Sequence, residues 1–72
     1  MGVTYSLHAR QRMVKRGITE TDIEYVLRHH HTTHPDLDGN PCFIGTIGER
    51  RLHVVVSLGS DPPHIVTVIW LD

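Results

Sequence analysis

Apolar residues change their spacing once along this chain, and the change divides it into two kinds of structure. Between Ser6 and His29 they follow a helical repeat. At about 100° per residue, Lys15, His8, Arg12 and Arg16 fall within about a third of the helix circumference, while Ala9, Met13, Val14 and Leu7 lie outside that arc. Ser6 is placed to cap this helix and Gly17 to stop it. Thr19 then caps a second helix, with Asp22 at the third helical position, where a carboxylate meets exposed amides and the positive end of the dipole. Ile23, Val26 and Leu27 follow at i, i+3, i+4 with Tyr25 beside them, the stripe of a scaffold helix. Only Gly17 and Ile18 join the two helices, which predicts a compact corner.

From about Ile44 the repeat becomes two. Leu52, Val54, Val56 and Leu58 alternate with Arg51, His53, Val55 and Ser57, and Ile65, Thr67, Ile69 and Leu71 alternate with Val66, Val68 and Trp70, which predicts two strands. Gly48-Glu49 and the stretch 59–63 supply turns. A shorter strand from about Cys42 to Thr46 precedes them, and Thr32 to Pro35 adds another before the Asp38-Gly39-Asn40 turn. The order predicts one α+β domain, with two N-terminal helices packed on one face of a three- to four-stranded antiparallel sheet.

With 72 residues, 39% of them hydrophobic, the chain makes a single domain that buries about 60% of its unfolded surface. A deep cavity for a large cofactor is not expected, and stability would gain from a partner or a second copy in a homodimer. The lone cysteine, Cys42, excludes an intramolecular disulfide. No cationic and apolar leader opens the chain and no apolar run approaches the roughly 20 residues of a membrane span, so a cytoplasmic protein without membrane contact is the expectation. A net charge of −1 argues against coating nucleic acid by bulk charge. The distribution of charge matters more: Arg10, Arg12, Lys15 and Arg16 come with no acid before Glu20, Asp22 and Glu24, a local patch suited to a short stretch of polyanion.

Arg51 and His53 are two apart and so project from one face of their strand, opposite Leu52, Val54 and Val56. If the basic edge of the first helix overlies one end of the sheet, His8, Arg12, Arg16, Arg51 and His53 line one shallow cleft. Two histidines and several arginines are what metal-independent RNA cleavage requires: a base for the 2′-hydroxyl, an acid for the leaving oxygen and cations for the developing charge. Tyr5, Thr67 and Ser57 are secondary candidates for positioning or proton relay. Taken singly, His53 also reads as a half-buried strand residue, His8 as a helix-start residue, and Arg50 and Arg51 as charges guarding an edge strand.

The run His29-His30-His31-Thr32-Thr33-His34 invites a metal reading, because helical spacing would pair His30 or His31 with His34, and Cys42 or Asp36 could complete a site. The chain has no C-x-x-C and no H-E-x-x-H, however, and Pro35 prevents the helix from running on. The run therefore reads as a helix C-terminus followed by a polar loop, with at most adventitious metal at His30, His31 and His34, and no cofactor is expected. Cys42 has no basic near neighbour in sequence and reads as a small buried strand residue, and Trp70 as a residue closing the core or an oligomer contact.

The string Ser6-x-His8-Ala9-x-x-Arg12-Met13-x-x-Arg16-Gly17-Ile18, followed by Asp22-Ile23-Glu24-x-Val26-Leu27, Arg51-Leu52-His53-Val54-Val55-Val56 and Ile65-Val66-Thr67-Val68, resembles the bacterial family catalogued as domain of unknown function 4258. Such proteins look like the RelE/ParE and BrnT toxins and the wider group of small RNase folds that includes barnase and colicin nuclease domains. The resemblance implies two N-terminal helices on a curved antiparallel sheet and a toxin or endoribonuclease role, with a cognate antitoxin as partner and RNA as substrate. On that analogy the matching positions are His8, Arg12, Arg16, Arg51 and His53, with Thr67 on the last strand; the expected catalytic residues are His8, His53 and Arg51, and the expected substrate-binding residues Arg12, Arg16, Lys15 and Thr67. A non-enzymatic module gripping nucleic acid or an acidic protein segment with the same basic face is the competing expectation, and a metal-binding module centred on His30, His31 and His34 is a third.

Overall fold

The structure, a computed structural model, describes residues 2–71. Its elements run β1 (Thr4–Tyr5), α1 (Leu7–Arg16), α2 (Glu20–His29), β2 (Thr32–Pro35), β3 (Pro41–Ile47), β4 (Arg50–Val56) and β5 (His64–Trp70). The class is α+β, as expected, but the sheet has five strands in the order β1-β5-β4-β3-β2 and is mixed, since β1 pairs parallel to β5 while the other pairs are antiparallel. The extra strand had no local signature. Two residues acquire it by lying against His64 and Ile65, with the Thr4 hydroxyl 2.8 Å from His64 Nδ1. β4, paired with β5 on one side and β3 on the other, is an interior strand, so Arg50 and Arg51 do not guard an edge.

Both helices form where their caps predict. Ser6 Oγ accepts from the Ala9 amide at 3.0 Å and donates to the Val66 carbonyl at 2.7 Å, so one hydroxyl both starts α1 and ties it to β5. Gly17 ends the helix at φ 69°, a left-handed conformation that glycine adopts without a Cβ penalty. Thr19 and Asp22 form a reciprocal capping box at the start of α2. Between them Ile18 is buried, and it fixes the corner by packing into the core.

The helices pack on one face of the sheet, α1 over β5 and α2 over β3 and β4. Ala9, Met13, Ile18, Ile23 and Val26 meet Leu52, Val54, Val56, Ile65 and Val68 there. Leu7 and Val14, apolar in sequence, are 75% and 86% exposed on the outer side of α1. A register shift between Val55 and Val56 sets Val55 against Thr67 and Val56 against Ile65, so Val66 bulges from β5. The simple alternation grouping Ile65 with Thr67 and Ile69 therefore breaks: Ile65 joins Val68 in the core, while Thr67 and Ile69 pair with Val55 and His53. Leu58 lies beyond the end of β4 and is exposed.

Gly45 sets how closely α2 can approach β3. A Cβ at this position would stand 3.2 and 3.3 Å from the two Val26 methyl carbons and 3.4 Å from Val26 Cα. Val26 is fully buried and β-branched, with little freedom at χ1 in a helix. Gly45→Ala is expected to lower unfolding free energy by about 1–3 kcal/mol through overpacking, with part of the loss recovered in Gly45→Ala/Val26→Ala, as read from urea midpoints. A neutral single variant would show that α2 is free to shift away.

Candidate nucleic-acid interface

The structure sorts the expected site residues into two groups. His8, Arg12, Lys15 and Arg16, with Gln11, line one groove on the outer side of α1. Arg51, His53 and Thr67 are on the far face of the sheet, because β4 alternates and Leu52, Val54 and Val56 occupy the face beneath the helices. The single cleft joining His8, Arg12 and Arg16 to Arg51 and His53 is therefore not formed within one chain.

The far-face group turns away from α1. The His53 ring lies 5.6 Å from that of His34, on the opposite edge of the sheet from β5. Among the described residues, its Nε2 and the Thr67 hydroxyl are buried without a hydrogen-bond partner, as is the Tyr5 hydroxyl, whose ring lies under Arg10 at 4.7 Å. Burial raises the Tyr5 phenol above its usual range, and Glu20 and Glu24 add to this. Ser57 serves the turn after β4, its amide donating to the His64 carbonyl and its own carbonyl accepting from Ser60. None of the three secondary candidates meets the basic groove.

The histidine run is dispersed. The helix ends at His29, and the residues after it turn into β2. The His30 ring packs edge-on against Phe43, whereas His31 Nε2 lies 3.3 Å from the Thr46 hydroxyl and His34 pairs with His53. Helical spacing thus does not apply to His30, His31 and His34, and among the described residues no group of three or more His, Cys, Asp or Glu is placed to hold a metal ion. Burial pushes the Cys42 thiol up, with the Asp36 charge adding to it, which is opposite to the shift a nucleophilic thiolate needs.

The basic groove has an extension that the sequence reading missed. Arg12 and Arg16 also line a second hollow with Arg50, Ile69 and Trp70. Trp70 Nε1 donates to the Arg16 carbonyl at 3.1 Å, satisfying one of the carbonyls left open at the end of α1. The Arg50 guanidinium lies 4.0 Å from the centroid of the same indole. The signal was present in the two-residue period: Arg50 is in phase with Leu52, so it belongs to the face the helices cover, whereas Arg51 is not. Among the described residues, the one ion pair of the helical corner joins Arg10 to Glu20 at 3.1 Å, and Arg12, Lys15 and Arg16 make none.

Burial holds the His53 imidazole below its usual value, with His34 adding to the shift and Asp36 opposing it. The folded state thus favours neutral His53, and between the folded and unfolded values the unfolded chain binds more protons. Stability contributed by this group is present above the ordinary imidazole value near 6.5 and is lost as pH falls through the window below it. His53→Gln is expected to flatten the decline in urea midpoint between about pH 7.5 and pH 5; an unchanged decline would assign it to other groups.

No described helix is long and apolar enough to cross a membrane. No curated protein and no solved structure matches the chain. The family described as Domain of unknown function (DUF4258) matches residues 5–70, from β1 to the end of β5 and across both basic hollows, and the chain belongs to that family.

Proposed function

We propose that this protein binds RNA through the basic side of α1. The observation that carries the reading is the gathering of His8, Arg12, Lys15 and Arg16 along one groove, with no ion pair to any of them among the described residues. Guanidinium groups one helical turn apart hold neighbouring phosphate oxygens through charge-assisted, often bidentate hydrogen bonds. A near-neutral molecule with such a patch makes local contacts that salt weakens.

Metal-independent cleavage on a two-histidine plan needs a second imidazole beside His8, and His53 belongs to the other face of the sheet. Binding rather than turnover is therefore the function proposed. The wider setting we propose rests on the resemblance of the opening motif: a cytoplasmic protein akin to RelE, ParE and BrnT toxins, with a cognate antitoxin that competes for α1.

Arg12→Ala/Arg16→Ala is expected to weaken binding of a fluorescein-labelled single-stranded RNA at least tenfold. Loss of two phosphate contacts should also reduce the slope of log K against log salt by about 1.4, at about 0.7 per contact for single strands. His53→Ala should leave both quantities unchanged. An RNA affinity that ignores the two arginines but falls with His53 would overturn the reading.

A further inference from the structure

We propose that the hollow between α1 and the end of β5 seats an unpaired nucleotide, its base lying on the Arg50 guanidinium and its phosphate held by Arg12 and Arg16. This deepens the RNA-binding reading and rests on it, because it specifies single-stranded RNA. Among the described residues, the hollow is lined by Arg12, Arg16, Arg50, Ile69 and Trp70, none of them acidic. Its volume of about 280 Å³ is at the lower limit for enclosing a small molecule, which suits one unit of a polymer passing through better than a free ligand held whole.

The two halves of the hollow offer different chemistry. On the helix side, Arg12 and Arg16 are i and i+4 and extend the row of cations that includes Lys15 and His8. On the sheet side, Trp70 is fixed by its bond to the Arg16 carbonyl, and Arg50 lies against its ring. A guanidinium 4.0 Å from an indole centroid is itself planar and weakly hydrated, and such planes stack on bases. Phosphate needs only the cations. The stacked plane beside them has no use for a bare polyanion or a carboxylate-rich peptide, and a duplex keeps its base faces inside its own stack. Single-stranded RNA uses both halves.

The test compares the intact protein and its Arg50→Lys variant, which keeps the charge and removes the plane. The probes are a ten-nucleotide single-stranded RNA, the same sequence as a duplex, inorganic polyphosphate and polyglutamate. The expected result is tightest binding of the single strand, with a change in fluorescence of Trp70, the chain's only tryptophan, that polyphosphate does not produce. Arg50→Lys should lose roughly tenfold or more on the single strand, the size of one stacked base, and should keep its affinity for polyphosphate. Equal affinity for strand, duplex and polyphosphate, unaltered by Arg50→Lys, would overturn the nucleotide seat and leave the RNA-binding reading standing. Binding of polyglutamate as tight as that of the single strand would overturn the seat in favour of an acidic protein partner. Failure of every probe to bind at low salt would overturn the seat together with the reading beneath it. Circular dichroism of the variant confirms that a loss comes from the hollow and not from unfolding.

Discussion

Burial of Leu52, Val54 and Val56 under the two helices is the contact on which the other features depend. These residues occupy the central strand of the sheet and meet Ile23 and Val26 of α2 and Ala9 and Met13 of α1 in one apolar layer. Because strand side chains alternate, committing these positions to the core sends Arg51 and His53 to the far face and turns Arg50 toward the helices' side. The separation of the two groups of candidate residues is therefore a consequence of core formation. It could be undone only by slipping β4 one residue, which would place an arginine and a histidine in the core.

The end of α1 is where this layer meets the charged surface. Trp70 reaches the Arg16 carbonyl and at the same time supports Arg50, so one indole joins helix, sheet and cation. Its role is both structural and electrostatic: the indole N–H satisfies a helix-end carbonyl, and the ring's π face orients a guanidinium. The Ser6 hydroxyl makes a comparable link at the other end of α1, where it caps the helix and holds the bulged Val66. With both ends tied to β5, the helix that carries these arginines is anchored to the sheet.

Much of this was legible in the residues. Ser6, Gly17, Thr19 and Asp22 mark helix ends by local chemistry that needs no tertiary partner, and they function as read. The basic arc of α1 followed from the helical period alone. What could not be read depends on long-range pairing: the two-residue β1 exists only because β5 offers an edge, and the Val66 bulge that turns Ile65 inward appears only once Val55 and Val56 have found their partners. Convergence of His8 with His53 depends on which face of the sheet lies under α1, a matter of long-range packing, and strand phase separates the two. The same phase pointed to Arg50, although the tandem with Arg51 obscured it. The histidine run misled because Thr32 to Pro35 is a strand, where the spacing rules of helices do not hold.

The side of the sheet that carries α1 is the proposed RNA-binding side, and histidine side chains report on both sides. In proton–nitrogen correlation spectra of the imidazoles, titrating a short single-stranded RNA is expected to move the His8 resonances while those of His34 and His53 stay in place. Movement of His34 and His53 with His8 unaffected would contradict it.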